Sequence, residues 1–173
     1  AGMRIESLSI VPMLAMGNAM STFTAQNMGA GKIDRVKEGY RMCYVIVLTA
    51  DAVLCVMYQL AGGAFVSLFL DSGSSEAYSV GLNYVKFLSF FYSFIGLKAS
   101  TDGLLRGAGD VTAFTVANLV NLAIRVSVTN LFAPIYGIQV AWMAVPLGWA
   151  ANYVISFGWY LTGKWKKVRV IKK

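Results

Sequence analysis

Long hydrophobic runs with very few charges follow one another along the chain, and each has the length of a membrane-spanning helix. A helix needs about 20 mostly apolar residues to cross the hydrocarbon core of a bilayer. The stretch from Ser7 to Gly31 contains no charge, and the stretches 42–70, 77–97 and 111–133 contain one charge each. After Pro134 and Gly137, another uncharged stretch continues to Leu161. The pattern predicts an all-α, polytopic bundle of about five transmembrane helices, over about residues 6–28, 42–66, 78–102, 112–133 and 138–161.

The composition supports a membrane protein and gives the basic residues a role at the membrane surface. The chain is 57% hydrophobic and only 13% charged, and its mean hydropathy is +0.61. A soluble domain would carry about 25% charged residues. The net charge of +7 lies in short segments between the apolar runs. We therefore expect the lipid bilayer as a partner and no nucleic acid.

The basic residues predict the orientation of the helices. They cluster in residues 32–41, at Arg106 and in residues 164–173, whereas the turns 71–76 and 134–137 contain none. If five helices alternate in direction, all three basic segments fall on one face, which the positive-inside rule makes cytoplasmic. We expect a plasma-membrane protein whose C-terminal tail is cytoplasmic and whose first helix starts on the outer side.

Six ionisable residues lie within or at the edges of the predicted spans: Glu6, Asp51, Lys86, Lys98, Asp102 and Arg125. A charge at the centre of a bilayer costs roughly 2.5–3.5 kcal/mol on insertion scales, so each residue needs a partner, a cavity or an interface. By depth along their helices, Asp51 and Arg125 could pair at mid-membrane. Lys98 and Asp102 are one turn apart and near the cytoplasmic interface, where we expect a structural ion pair. A coupling-ion or substrate site facing an aqueous cavity stays the alternative for each charged group.

Amides and hydroxyls mark two helices as facing a cavity or tightly packed neighbours. The first predicted helix is rich in small and polar residues, and Glu6 lies in its outer half. In the fourth, the spacing of Asn118, Asn121 and Arg125 by three and four residues forms one polar stripe, which cannot face lipid. The candidate cavity or ion-coupling residues are Glu6, Asp51, Asn118, Asn121 and Arg125. Interhelical hydrogen bonding alone is the alternative for each amide.

The sequence offers no support for catalysis. It has no histidine, no HExxH motif and no nucleophile–base pair. Neither cysteine has a metal-ligand spacing. We therefore expect no enzyme, no catalytic or metal site and no cofactor.

Two glycine-containing turns on the predicted cytoplasmic side repeat each other. One reads Gln26-Asn27-Met28-Gly29-Ala30-Gly31-Lys32, and the other reads Leu105-Arg106-Gly107-Ala108-Gly109-Asp110. Glycines at these positions are typical of helix ends. Together with Arg4-Ile5-Glu6-Ser7 at the start of a helix, these turns resemble, in order and spacing, those of the multidrug and toxic compound extrusion (MATE) family.

This resemblance implies a twelve-helix antiporter, of which the chain corresponds to the last five helices. Members of the family export cationic, amphipathic compounds in exchange for protons or sodium by alternating access. Small cationic organic substrates, a proton or sodium as coupling ion, and the missing N-terminal helices are therefore the expected partners. One departure stands out, because the helix before Leu105 has no carboxylate in the stretch Phe94–Leu97, where some sodium-coupled members carry an aspartate.

Two other functions remain open at the level of the sequence. A flippase for lipid-linked or polysaccharide substrates shares the architecture but requires cationic charge in the cavity, which Arg125, Lys86 and Lys98 could supply. A non-transporting helical scaffold subunit is the alternative from another class. The chain begins at Ala1 rather than at a methionine, from which we expect a piece of a longer protein.

Overall fold

The computed structural model describes residues 2–69, 75–137 and 139–167, with side chains from Ser7 onward except those of Leu8 and Ser75. Within these ranges the chain is all-α, as predicted. It forms helices α1 (Gly2–Gly29), α2 (Ile33–Ser67), α3 (Ser75–Ser89), α4 (Tyr92–Gly107), α5 (Val111–Tyr136) and α6 (Gln139–Leu161), followed by a short 3-10 helix (Lys164–Lys167).

The helices of the structure differ in two places from the extents of the predicted spans. Helix α2 begins at Ile33 rather than near residue 42, so the basic segment after α1 is largely helical. The predicted third span is two helices, α3 and α4, which meet at a bend of 51°. At the bend, the Phe91 N–H donates to Leu88 O (2.8 Å) and the Phe94 N–H donates to Phe91 O (3.0 Å). These three-residue bonds tighten the chain and interrupt the α-helical pattern.

Length and apolarity support three to four membrane spans among the described residues. Helices α2, α5 and α6 are each long and apolar enough, and the bent pair α3–α4 makes a fourth if it counts as one span. Helix α1 has 28 residues and is not counted among these spans. The predicted number of about five spans is therefore close to the observed architecture.

Contacts between the helices establish their relative directions. Helix α4 runs antiparallel to α2, because Cys43 near the start of α2 contacts Ser100 in the middle of α4, whereas Gln59 further along α2 contacts Ser89 before the start of α4. Helix α5 runs antiparallel to α6, since Asp110 at the start of α5 accepts a hydrogen bond from Trp159 near the end of α6. Helices therefore alternate in direction when α3 and α4 count as one span.

The same alternation brings the basic residues of the described segments, 32–41, Arg106 and 164–167, to one end of the bundle. The Tyr160 ring near the end of α6 lies 4.6 Å from the Tyr40 ring near the start of α2, measured between centroids. Arg106 lies at the end of α4, next to the start of α5. The fold therefore has the described basic segments on one face, as predicted. That this face is cytoplasmic stays a prediction.

Helices α1 and α4 pack in parallel with their backbones in close contact. A Cβ added to Gly103 would lie 2.1 Å from Gly17 O, and one added to Gly107 would lie 2.2 Å from Ser21 O. On the other side of the contact, a Cβ at Gly17 would lie 2.6 Å from Ala99 O. Small residues permit this approach, which is the usual way that helices associate inside a membrane.

The outer surface of the bundle is apolar. Leu60, Ile135 and Val154 are 84%, 71% and 67% exposed. Such residues are unfavourable in water but suit a surface that faces lipid tails or further helices. The buried positions are filled in part by polar groups, and these define the candidate site.

Candidate ion and substrate site

A buried ion pair lies where α4, α5 and α6 meet. The Lys98 Nζ donates to Asp102 Oδ2 at 3.0 Å and to Asn118 Oδ1 at 3.1 Å. The side chains of Lys98 and Asp102 are 13% and 5% exposed. The predicted i,i+4 ion pair is therefore confirmed, with Asp102 buried and Lys98 largely buried.

The Asp102 carboxylate joins three helices. Its Oδ1 accepts a hydrogen bond from Ser156 Oγ on α6 at 2.5 Å, and its Oδ2 accepts a longer one from Asn118 Nδ2 on α5 at 3.4 Å. Ser156 Oγ also lies 3.3 Å from Asn152 Oδ1, but a hydroxyl has one hydrogen to donate. Asn152 is fully buried, and its Nδ2 has no partner among the described residues. The network thus contains one amide nitrogen, Asn152 Nδ2, without a partner among the described residues, and a carboxylate, Asp102, whose two oxygens both accept hydrogen bonds.

A cavity of about 210 Å³ opens onto this ion pair between α1, α4 and α5. Its polar lining includes Asn18, Lys98, Asp102, Arg106 and Asn118. The Arg106 guanidinium donates to Asn18 Oδ1 at 2.7 Å and lies over the Phe114 ring, 5.6 Å from its centroid. The cavity therefore presents two cationic side chains and one carboxylate.

The predicted polar stripe of α5 faces α6 and α4, in two different environments. Asn118 belongs to the ion-pair network. Asn121 and Arg125 lie against Gly148 of α6, where an added Cβ would be 2.2 Å from Asn121 Oδ1 and 2.9 Å from Arg125 Cγ. Asn121 Oδ1 is buried without a partner among the described residues, whereas Arg125 is exposed.

Asp51 is the other buried charge of the described bundle, and it does not meet Arg125. Asp51 is 5% exposed, and both carboxylate oxygens lack a hydrogen-bond partner among the described residues. It lies on the side of α2 that faces Met13 of α1 and Gly96 of α4. The possible Asp51–Arg125 pair is therefore not formed in the described bundle, because equal depth along two helices does not make their side chains face each other.

Glu6 belongs to α1 by its backbone, but its side chain lies outside the described residues. Its predicted place in a cavity stays a prediction.

The two repeated turns have the same backbone geometry. The Lys32 N–H donates to Asn27 O at 2.8 Å, and the Asp110 N–H donates to Leu105 O at 2.9 Å. Gly31 and Gly109 have positive φ angles of 71° and 84°. Each turn therefore ends its helix with the motif in which a left-handed glycine satisfies the last carbonyls.

The remaining motif residues serve structure rather than forming a site of their own. Gln26 O accepts the Ala30 N–H at 3.1 Å, next to Gly29, the last residue of α1. Gly107 lies at the close contact with α1 described above. Arg106 differs from them, since its guanidinium reaches the cavity.

A cluster of hydroxyl groups between α2, α4 and α6 was not predicted. Thr101 Oγ1 lies 2.7 Å from Tyr40 OH and 2.8 Å from Tyr44 OH, and Tyr44 OH donates to Tyr153 OH at 3.4 Å. The one sequence signal was the spacing of Tyr40 and Tyr44 by four residues, which places both on one face of α2. Similarly, only the tertiary contacts place Ser156 beside Asp102.

Together these features define a class of protein. An apolar helical bundle whose interior holds ionisable groups around a small polar cavity is typical of a multi-pass membrane protein. The family model described as MatE matches residues 1–145, and the chain belongs to this family, the one that the two turns resemble. Since members of the family are transporters, the match also confirms the prediction that the chain is not an enzyme.

Curated relatives agree with this assignment. The chain is similar to the probable multidrug resistance protein YpnP of Bacillus subtilis, with 28% identity over 96% of the chain and 37% of the relative. It is also similar to the probable multidrug resistance protein NorM of Thermotoga maritima, with 20% identity over 99% of the chain and 37% of the relative. A shorter match, 29% identical, covers 40% of the chain and 15% of an FAD transporter of Shewanella oneidensis. No solved structure gave a significant match.

The chain spans about 37% of the length of the two multidrug resistance proteins.

Proposed function

We propose that this chain forms part of an exporter that expels cationic, amphipathic compounds in exchange for an inward-moving proton or sodium ion. Membership of the MatE family and the relatives named as probable multidrug resistance proteins support export of drugs. Further helices of the same transporter would complete the substrate cavity, and the two parts would open it alternately to each side. The basic end of the bundle would face the cytoplasm of a plasma membrane, with the start of α1 outside.

Asp51 carries the coupling part of this proposal. A buried carboxylate without a hydrogen-bond partner among the described residues is expensive in a membrane unless it binds a positive ion. A proton or a sodium ion would neutralise it, and losing that ion would make one conformation less stable than the other. Such a difference is what couples an ion gradient to a change of conformation.

Efflux of ethidium from drug-hypersensitive cells tests the proposal. Cells would express the complete protein, in sodium and in potassium buffer, with and without a protonophore. We expect efflux that depends on one of the two gradients and that Asp51→Asn abolishes. Asp34→Asn is the matched control, since Asp34 lies on the same helix but is exposed and pairs with Lys37. Efflux by Asp51→Asn at the wild-type rate would exclude Asp51 from coupling.

One observation favours a second function, the transport of an anionic, phosphate-bearing compound. The cavity carries Lys98 and Arg106 against a single carboxylate, Asp102. A flippase for lipid-linked substrates would use such charges, and one relative is named as an FAD transporter. Uptake of a labelled dinucleotide or lipid-linked phosphate into vesicles containing the protein, without ethidium transport, would favour this alternative.

A further inference from the structure

We propose that Asp102 and Asn118 form a binding site for a small monovalent cation, and that the Lys98 ammonium occupies this site as a built-in substitute for the ion. The Lys98 Nζ lies between two oxygens from different helices, 3.0 Å from Asp102 Oδ2 on α4 and 3.1 Å from Asn118 Oδ1 on α5. Two oxygens that converge on one positive charge are what a cation site provides. The inference deepens the proposed cation-coupled function and rests on it for its role in the cell.

The donor set suits a monovalent ion. The site offers one carboxylate and a neutral amide oxygen, and the described residues contain no group of three or more His, Cys, Asp or Glu that could hold a metal. Divalent ions such as Ca²⁺ are held by more oxygen ligands, usually including several carboxylates. A single carboxylate balances one positive charge, which is also the charge that Lys98 supplies.

The cavity gives Lys98 room to leave and limits what can replace it. Both ends of the ion pair line the cavity of about 210 Å³. Pockets that enclose drug-sized molecules measure roughly 300–1,000 Å³. An alkali ion or a single amine group therefore fits in the space beside Asp102. Arg106 is eight residues further along α4, about 12 Å along the helix axis, and its guanidinium is held by Asn18 and Phe114.

A lysine in this position supplies a counter-charge for the Asp102 carboxylate when no ion is bound. When the ion leaves, a buried carboxylate would otherwise remain without a counter-charge, which is strongly unfavourable. Lys98 can return to Asp102 in that state, and the ion displaces it in the other. Because Ser156 and Asn118 hold the carboxylate between α4, α5 and α6, the exchange changes the contacts among three helices.

Equilibrium binding of ²²Na⁺ to the purified complete protein tests the proposal without any transport. Lys98→Met removes the competing ammonium, so we expect it to bind sodium at least about tenfold more tightly than the wild type. Asp102→Asn should bind no sodium at this site. Lys86→Met is the matched control, because Lys86 is a lysine of α3 outside the cavity lining, and it should bind sodium as the wild type does.

A folded Lys98→Met variant that binds sodium no more tightly than the wild type would overturn the proposal and leave a structural ion pair. If Lys98→Met does not fold, Lys98→Gln, whose amide can still donate to Asp102, takes its place with the same expectation. Competition with methylammonium then identifies the ligand. Tenfold preference for sodium assigns the site to an alkali ion, and equal displacement assigns it to small monovalent cations that include amines. Failure of ethidium export with sodium binding intact would refute the proposed function but not this site.

Discussion

Asp51 lies against Gly96 of α4: a Cβ on Gly96 would lie 3.2 Å from Asp51 Oδ2. The same Cβ would lie 2.2 Å from Val47 Cγ1, which is closer than real contacts allow. The buried carboxylate of α2 and the glycine of α4 are therefore one structural unit. The sequence gives no sign that these two residues are in contact, since they are on different helices.

The first prediction concerns this contact. Gly96→Ala should destabilise the protein by about 1–3 kcal/mol, because the added methyl group overpacks the contact with Val47. Thermal unfolding of the purified complete protein in detergent would measure the loss. Gly158→Ala is the control, since a Cβ at Gly158 meets no atom within 4 Å. A melting temperature unchanged by Gly96→Ala would mean that α2 and α4 are not packed as described.

The second prediction concerns the contact between α1 and α4. Gly103→Ala places a Cβ 2.1 Å from the Gly17 carbonyl oxygen, a backbone atom that cannot move aside without its helix. We expect the two helices to separate and the protein to lose more stability than with Gly96→Ala, where a side chain can adjust. Cysteine cross-linking between α1 and α4 would report the separation. Cross-linking at the wild-type rate in Gly103→Ala would contradict the close contact.

The third prediction concerns the turn that ends α1. Gly31 has a φ of 71°, which costs a residue with a Cβ about 1–2 kcal/mol, whereas Gly29 is helical. Gly31→Ala should therefore lower the melting temperature, and Gly29→Ala should leave it unchanged or raise it slightly. Neither substitution introduces a steric clash within 4 Å. Equal effects of the two substitutions would argue against the left-handed turn.

The fourth prediction concerns Asp110, which connects α5 to α6. Its Oδ1 accepts the Ala113 N–H at 3.4 Å, and its Oδ2 accepts the Trp159 Nε1–H at 2.7 Å. Asp110→Ala removes a helix cap and an interhelical hydrogen bond, so we expect a loss of about 1–3 kcal/mol in unfolding free energy. Asp34→Ala, at an exposed position, should cost far less. A neutral Asp110→Ala would show that another group holds α6 in place.

Much of the fold follows from local properties of the sequence. The lengths of the apolar runs predict the spans, and the positions of the charges predict which helix ends lie together. The glycines at Gly31 and Gly109 predict turns that the structure contains, since a left-handed residue at a helix end is a local requirement. The i,i+4 spacing of Lys98 and Asp102 predicts their ion pair for the same reason.

The tertiary structure alone decided which polar groups face each other. The depth of a residue along its helix follows from counting residues. Which residue its side chain faces depends on where the neighbouring helices lie and how they are rotated. For this reason Asp51 meets Gly96 rather than Arg125, and Ser156 joins Asp102. The bend between α3 and α4 and the cavity beside Lys98 likewise arise from packing among several helices, which no single stretch of sequence encodes.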